Sequence, residues 1–175
     1  MGNFYTNITL ARPAAAVVAE LTAAGRNAYV ADAGERCVVY DGECESQGSQ
    51  VLAALAEHLA TRLDTWALAV LNHDDDVLWL QLYVGADLVA EYANRGGPRT
   101  DVGALCRALG RPGDVTAVWL LLRLPFLFQV WRHGRLVRRL GLPEAAVGFG
   151  FTYLARGEMP PGVDARRLVR VARPP

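Results

Sequence analysis

The chain has 175 residues, of which 52% are hydrophobic and 21% are charged, so it has the composition of a globular protein and not of a disordered one. Eighteen basic residues, all of them arginine, balance eighteen acidic residues, and this neutral net charge argues against a dedicated nucleic-acid binder. The most apolar segments, 77–84 and 115–131, are too short or too interrupted by polar residues to span a membrane.

The first part of the chain alternates strand and helix patterns. β-Branched and aromatic residues predict the strands, and valine and leucine at three- and four-residue steps predict the helices. The predicted elements are a strand at 3–10, a helix at 12–25, strands at 27–32 and 36–41, a helix at 46–64 and a strand at 65–72. This β-α-β-β-α-β order predicts an α+β fold, specifically a ferredoxin-like sandwich.

Two more strands are predicted at 76–84 and 87–93, and they extend the sheet by a hairpin over about 66–93. The segment 94–100 carries two glycines and a proline among polar residues, which is typical of a boundary. We therefore divide the chain into a sheet core over 1–95 and a mainly helical segment over 96–175 that packs on it as one folded unit.

The second part changes to helical periodicity. The aromatic segments 125–131 and 149–155 fit a strand or a helix equally well, so the sequence leaves their secondary structure undecided. Helices are predicted at 100–110, 113–124 and 132–143, and a short strand at 168–171. The sequence thus predicts a sheet followed by helices that cover it.

Charge is divided unevenly between the two parts. Residues 1–95 carry thirteen acidic and five basic residues, a net charge of −8, and residues 96–175 carry five acidic and thirteen basic residues, a net charge of +8. The two parts either neutralise each other where they pack or present separate patches to partners. Such an uneven division of charge by itself indicates an interaction with a partner.

The acidic run Asp74, Asp75 and Asp76 follows Asn72 and His73 and could hold a hard cation such as Mg²⁺. Neighbouring residues of a strand point to opposite faces, so these carboxylates converge only in a turn. Asn and Asp are the residues that tolerate the left-handed backbone of a turn. We predict a hairpin tip that serves as a soluble turn or a partner-facing patch, and we keep a metal site as the alternative.

The basic half contains two further candidate sites. The helix pattern over 132–143 predicts a solvated or anion-binding arginine face; its members are Arg132, Arg135, Arg138 and Arg139. An aromatic group predicts either core packing or a ligand pocket between the sheet and the helices; its members are Phe126, Phe128, Trp131, Phe149, Phe151 and Tyr153. The pocket candidates among them are Trp131, Phe149, Phe151 and Tyr153.

Residue patterns typical of catalysis are missing from the sequence. The three cysteines have no CxxC spacing, the three histidines have no i, i+4 pair, and the two serines lie outside a GxSxG motif. We therefore expect no resident cofactor or metal, and an enzyme is disfavoured. Three reduced cysteines and an N-terminus without a secretory pattern predict a cytoplasmic protein, and the all-arginine composition points to a high-GC bacterium.

The leading hypothesis is a non-enzymatic protein-interaction protein, either an accessory or regulatory subunit or an immunity-type neutraliser of a toxin. Its partner is another protein, met through the charged patches, with no membrane and no nucleic acid involved. The first alternative is a small-molecule or nucleotide-binding module with a cleft between the sheet and the C-terminal helices. The second is a metal-dependent enzyme at the turn 73–76. The sequence leaves the oligomeric state open.

Overall fold

A computed structural model of the protein describes residues 2–95, 101–124 and 128–173. Within these ranges seven strands occur, namely β1 (Tyr5–Leu10), β2 (Ala28–Asp32), β3 (Cys37–Asp41), β4 (Trp66–His73), β5 (Val77–Val84), β6 (Asp87–Ala93) and β7 (Leu168–Val171). Six α-helices accompany them, namely α1 (Ala14–Ala23), α2 (Ser49–Arg62), α3 (Val102–Ala108), α4 (Val115–Arg123), α5 (Gln129–Leu140) and α6 (Phe151–Ala155). The prediction of a mixed α+β fold is confirmed.

All seven strands form one antiparallel sheet in the order β6-β5-β4-β1-β3-β2-β7. The consecutive strands β4, β5 and β6 extend one side of the sheet. On the other side β7, from the end of the chain, pairs with β2 over Ala28–Ala31. This seven-stranded order is not the four-stranded ferredoxin-like arrangement, so the finer prediction of that topology is not confirmed.

Helices cover both faces of the sheet. Along β1, Ile8 and Leu10 belong to the cluster that packs against α1 and α2, whereas Tyr5 belongs to the cluster that packs against α3, α4 and α5. Successive side chains of a strand point to opposite faces, and all six residues of β1 are buried. The central strands are therefore sandwiched between two helical layers, one from each half of the chain.

The C-terminal helices begin and end at local signals in the sequence. The Asp101 side chain accepts a hydrogen bond from the Ala104 amide at 2.9 Å and caps α3. Gly141 ends α5 in the left-handed conformation, with φ of 65°. In the segment 125–131, for which the sequence fitted a strand or a helix, residues 129–131 belong to α5 and residues 125–127 lie outside the described part of the chain. Residues 96–100 of the predicted boundary also lie outside it.

The segment 149–155 is helical from Phe151 onward because of a contact distant in sequence. The Glu45 carboxylate accepts hydrogen bonds from the Phe151 amide at 2.6 Å and from the Thr152 hydroxyl at 2.8 Å. It thereby satisfies a free amide of the first turn and places negative charge at the helix N-terminus. No helix in the described residues is long and apolar enough to cross a bilayer.

Candidate functional site

The acidic run forms a tight hairpin turn between β4 and β5. Asp74 and Asp75 both have φ of 55°, and the Asp76 amide donates to the His73 carbonyl at 3.0 Å. Two successive left-handed residues closed by such a bond make a type I′ turn, whose twist suits a hairpin. Among the described residues, no group of three His, Cys, Asp or Glu side chains is placed to hold a metal ion.

This turn also contacts the first turn of α5. The Asp75 carbonyl accepts a hydrogen bond from the Gln129 amide at 3.2 Å, and the Asp75 carboxylate accepts one from the Asn72 side chain at 3.0 Å. Asp76 forms an ion pair with Arg95 at 2.7 Å, and both side chains are exposed. Asp74 and Asp76 therefore face solvent, while Asp75 is half-buried and fixes the tip against the helical layer.

Arg132 lies inside the protein and not on the exposed face where the helix pattern placed it, since only 4% of it is accessible. Its guanidinium donates to the Leu121 carbonyl, to the Leu124 carbonyl at 2.5 Å and to the Gln129 side chain at 3.0 Å. These acceptors include carbonyls at the C-terminal end of α4, where a cation also meets the helix dipole favourably. Arg132 thus ties the end of α4 to the start of α5.

The other three predicted arginines of α5 are exposed. Arg139 lies 3.2 Å from Asp114 in an ion pair. The Arg135 guanidinium lies over the Trp131 ring, 4.5 Å from its centroid. Arg138 is exposed on the same helix. A partner-binding role for these residues remains a prediction, and the structure places them where a partner can reach them.

Large apolar side chains are exposed on α4 and α5, and we call this region the α4–α5 surface. Sequence reasoning groups Phe128 and Trp131 with the aromatic residues of the basic half, and it misses Trp119 and Leu120. The apolar members of the surface are Trp119, Leu120, Phe128 and Trp131, which are 43%, 51%, 74% and 42% exposed. Arg123 covers Trp119 at 4.3 Å from the ring centroid, just as Arg135 covers Trp131. The signal was in the sequence: each tryptophan precedes its arginine by four residues, the spacing that brings side chains together on a helix.

A cleft of about 530 Å³ separates the acidic turn from the end of α4. Its lining includes Asp74 and Asp76 from the acidic turn, Arg123 from α4, Arg95 and Phe128. Its size falls within the usual range for ligand sites. Because Arg123 both lines the cleft and covers Trp119, the cleft continues into the α4–α5 surface.

Of the predicted aromatic pocket residues, Trp131 belongs to the α4–α5 surface. Phe149, Phe151 and Tyr153 lie in another region of the protein. Phe149 and Tyr153 contact each other with ring centroids 5.7 Å apart, and Phe151 contacts Tyr29 at 5.3 Å. All three are partly buried and pack against the core on the α5 side of the sheet. Their contacts are those of core aromatics, and a pocket role for them remains a prediction.

A buried histidine lies between α5 and the sheet. The His133 Nδ1 atom is 2.7 Å from the Tyr5 hydroxyl, and its Nε2 atom has no hydrogen-bond partner among the described residues. Burial lowers the pKa of His133 to about 4, because the apolar surroundings disfavour the charged imidazolium. The residue is therefore neutral at physiological pH and serves the core.

The three cysteines are free and buried. Burial raises the pKa of Cys37 to about 12 and also raises the pKa of Cys44 and of Cys106. Because the thiolate is the nucleophile, thiols held protonated in this way are inert.

Comparison with protein family profiles, curated proteins and solved structures finds no match to this chain. The surface chemistry of the chain is therefore what indicates its function. The α4–α5 surface combines exposed aromatic rings with stacked guanidinium groups, the two side-chain types most enriched where proteins bind each other tightly.

Proposed function

We propose that this chain is a non-enzymatic protein-interaction protein that binds its partner through the α4–α5 surface. The observation that carries the proposal is the exposure of Trp119, Leu120, Phe128 and Trp131 beside stacked arginines. Large apolar side chains exposed on two neighbouring helices are typical of interaction sites.

The energetics favour burial of this surface by a partner. Covering a large apolar side chain is worth roughly 1.5–3 kcal/mol, and Phe128 is 74% exposed. Tryptophans in the centre of an interface often contribute about 2 kcal/mol or more each. Two tryptophans and one phenylalanine are therefore available as the apolar anchors of a complex.

The surface is held in place before any partner arrives. Arg132 bonds the Leu121 and Leu124 carbonyls of the α4 end from within α5, and the acidic turn bonds the first turn of α5 through Gln129. A surface fixed in advance loses less conformational entropy on binding. The biological role we favour is that of an accessory or regulatory subunit, or of an immunity-type neutraliser.

The test is affinity capture from the producing cells with three baits, followed by reconstitution from purified components. The baits are the wild type, a Trp119→Ala/Trp131→Ala variant and a control Leu88→Ala/Val169→Ala variant with exposed apolar residues removed from β6 and β7. We expect one protein, identified by mass spectrometry, to form a stable complex with the wild type and the control. The double tryptophan variant should bind it at least about 30-fold more weakly.

Unchanged affinity of the purified partner for the Trp119→Ala/Trp131→Ala variant refutes the proposal. Circular dichroism melts of each bait establish that the variants are folded, so that lost binding is not lost structure.

The second candidate function is small-molecule binding in the cleft. The cleft volume of about 530 Å³ and the opposed charges of Asp74 and Arg123 favour it. A ligand specific for the folded state raises Tm, so a thermal-shift screen with nucleotides and metabolites tests it. A flat screen removes this candidate and leaves the first one untouched.

We also infer a ferredoxin-like core within the larger sheet. The support is that β4-β1-β3-β2 are adjacent and antiparallel and that α1 and α2 pack on one face of them. On this view β5, β6 and β7 are additions at the two edges. The inference concerns architecture only, because such a fold hosts many functions.

A further inference from the structure

We infer that the segment of the partner that binds the α4–α5 surface is acidic and presents carboxylates to Arg123 and Arg135, next to apolar side chains. This inference rests on the proposed function, since it names the chemistry of the partner at the same surface.

The first observation is local charge. Residues 115–143, which span α4 and α5, contain five arginines and no acidic residue. Arg132 is buried with its own acceptors, and Arg139 is paired with Asp114. In the part of the chain that the structure describes, Arg123, Arg135 and Arg138 have no acidic partner. The surface therefore offers three positive charges that form no ion pair with another described residue.

The second observation is the orientation of two of these charges. The guanidinium carbons of Arg123 and Arg135 lie 4.3 and 4.5 Å from the centroids of the Trp119 and Trp131 rings. Stacking on an indole is favourable and restrains a side chain that is otherwise flexible. A guanidinium restrained in this way keeps its N–H groups free for a bidentate carboxylate. The binding of an acidic side chain then costs little further ordering.

The same geometry disfavours nucleic acid as the occupant. Single strands bind by stacking bases on open aromatic faces, and here a guanidinium already covers one face of each tryptophan ring. The adjoining cleft is lined by Asp74, Asp75 and Asp76 as well as by Arg95, Arg123 and Arg132, so it lacks the uniformly positive charge that a phosphate backbone requires. An acidic protein segment needs positive charge only at Arg123 and Arg135, because the spacing of its charges is set by its sequence.

The experiment uses defined probes and the full chain. The probes are a short amphipathic peptide of glutamate and leucine, the same peptide with glutamine in place of glutamate, the same peptide with lysine, and a thymidine oligonucleotide. Binding is measured by calorimetry and by fluorescence of the exposed tryptophans. The variants are Arg123→Gln/Arg135→Gln and a control, Arg156→Gln/Arg166→Gln, which removes the same charge from exposed sites outside α4 and α5.

We expect the glutamate peptide to bind the wild type and the control at least about tenfold more tightly than the glutamine peptide, and the lysine peptide not to bind. The Arg123→Gln/Arg135→Gln variant should lose this preference. Raising the salt concentration should weaken the glutamate complex, because exposed charges are screened.

The outcomes separate the inference from the proposed function. If the glutamate and glutamine peptides bind the wild type equally well and neither binds the Trp119→Ala/Trp131→Ala variant, the inference is overturned. The protein-binding surface is then supported. Tighter binding of the oligonucleotide than of the glutamate peptide overturns both. Binding of no peptide overturns the inference, and the capture experiment then decides the proposed function alone.

Discussion

The buried histidine predicts a specific loss of stability in mild acid. His133 is fully enclosed between α5 and the sheet, near the apolar side chains of Leu68, Leu80 and Leu136, with the Tyr5 hydroxyl as its polar neighbour. Burial lowers its pKa from 6.5 to about 4 in the folded state. Between about pH 4 and pH 6.5 the His133 imidazole is therefore protonated in the unfolded chain and neutral in the folded chain.

The direction and the size of the change in unfolding free energy follow from this difference in pKa. Where the unfolded state binds more protons, stability rises with pH, so the His133 contribution is complete above pH 6.5 and is lost as the pH falls toward 4. The full difference amounts to about 3 kcal/mol. Between pH 7.5 and pH 5 the expected loss is about 2 kcal/mol.

Urea denaturation at pH 7.5 and at pH 5 measures this loss directly. The wild type should lose about 2 kcal/mol of unfolding free energy over that interval. A His133→Gln variant keeps an acceptor for Tyr5 but has no titrating ring, so its loss should be smaller by that amount. An Arg138→Gln variant makes a substitution to glutamine at an exposed residue of the same helix and should show the pH dependence of the wild type.

Equal pH dependence in the wild type and His133→Gln would refute the reasoning. So would an NMR titration that places the pKa of His133 near 6.5.

The remaining predictions concern contacts that hold the site. Arg132→Gln should lower the unfolding free energy by about 3 kcal/mol, because it leaves buried carbonyls of α4 without their donor, while Arg138→Gln should change it by less than about 0.5 kcal/mol; urea denaturation compares the two. Glu45→Gln should destabilise the protein by about 1–2 kcal/mol through the weakened α6 cap, measured as a lower Tm. Asp74→Val should cost about 1–2 kcal/mol, since a β-branched residue resists the left-handed turn, whereas Asp74→Gly should be tolerated in the same melts. The three cysteines should react with a thiol reagent only after denaturation, and rapid labelling of the native protein would contradict their burial.

Local chemistry determined much of the fold. The Asn-His-Asp-Asp-Asp run predicts a turn because Asn and Asp tolerate left-handed backbone, and Asp74 and Asp75 adopt it. Gly141 ends α5 for the same kind of reason. Strand and helix periodicities predicted β1 to β6 and α1 to α5 within a few residues, because each pattern reflects which side of one element faces the core.

Only the tertiary structure decided which side chains share a surface. The helix pattern of α5 left Arg132 among solvated arginines, yet the end of α4 supplies carbonyls that make its burial favourable. The helix α6 depends on Glu45, which is more than a hundred residues away in the chain. The α4–α5 surface and its cleft exist because the acidic turn, the end of α4 and the start of α5 meet in space. Sequence periodicity describes one element at a time. The contacts between elements set burial, charge pairing and exposure, and these contacts are decided by packing.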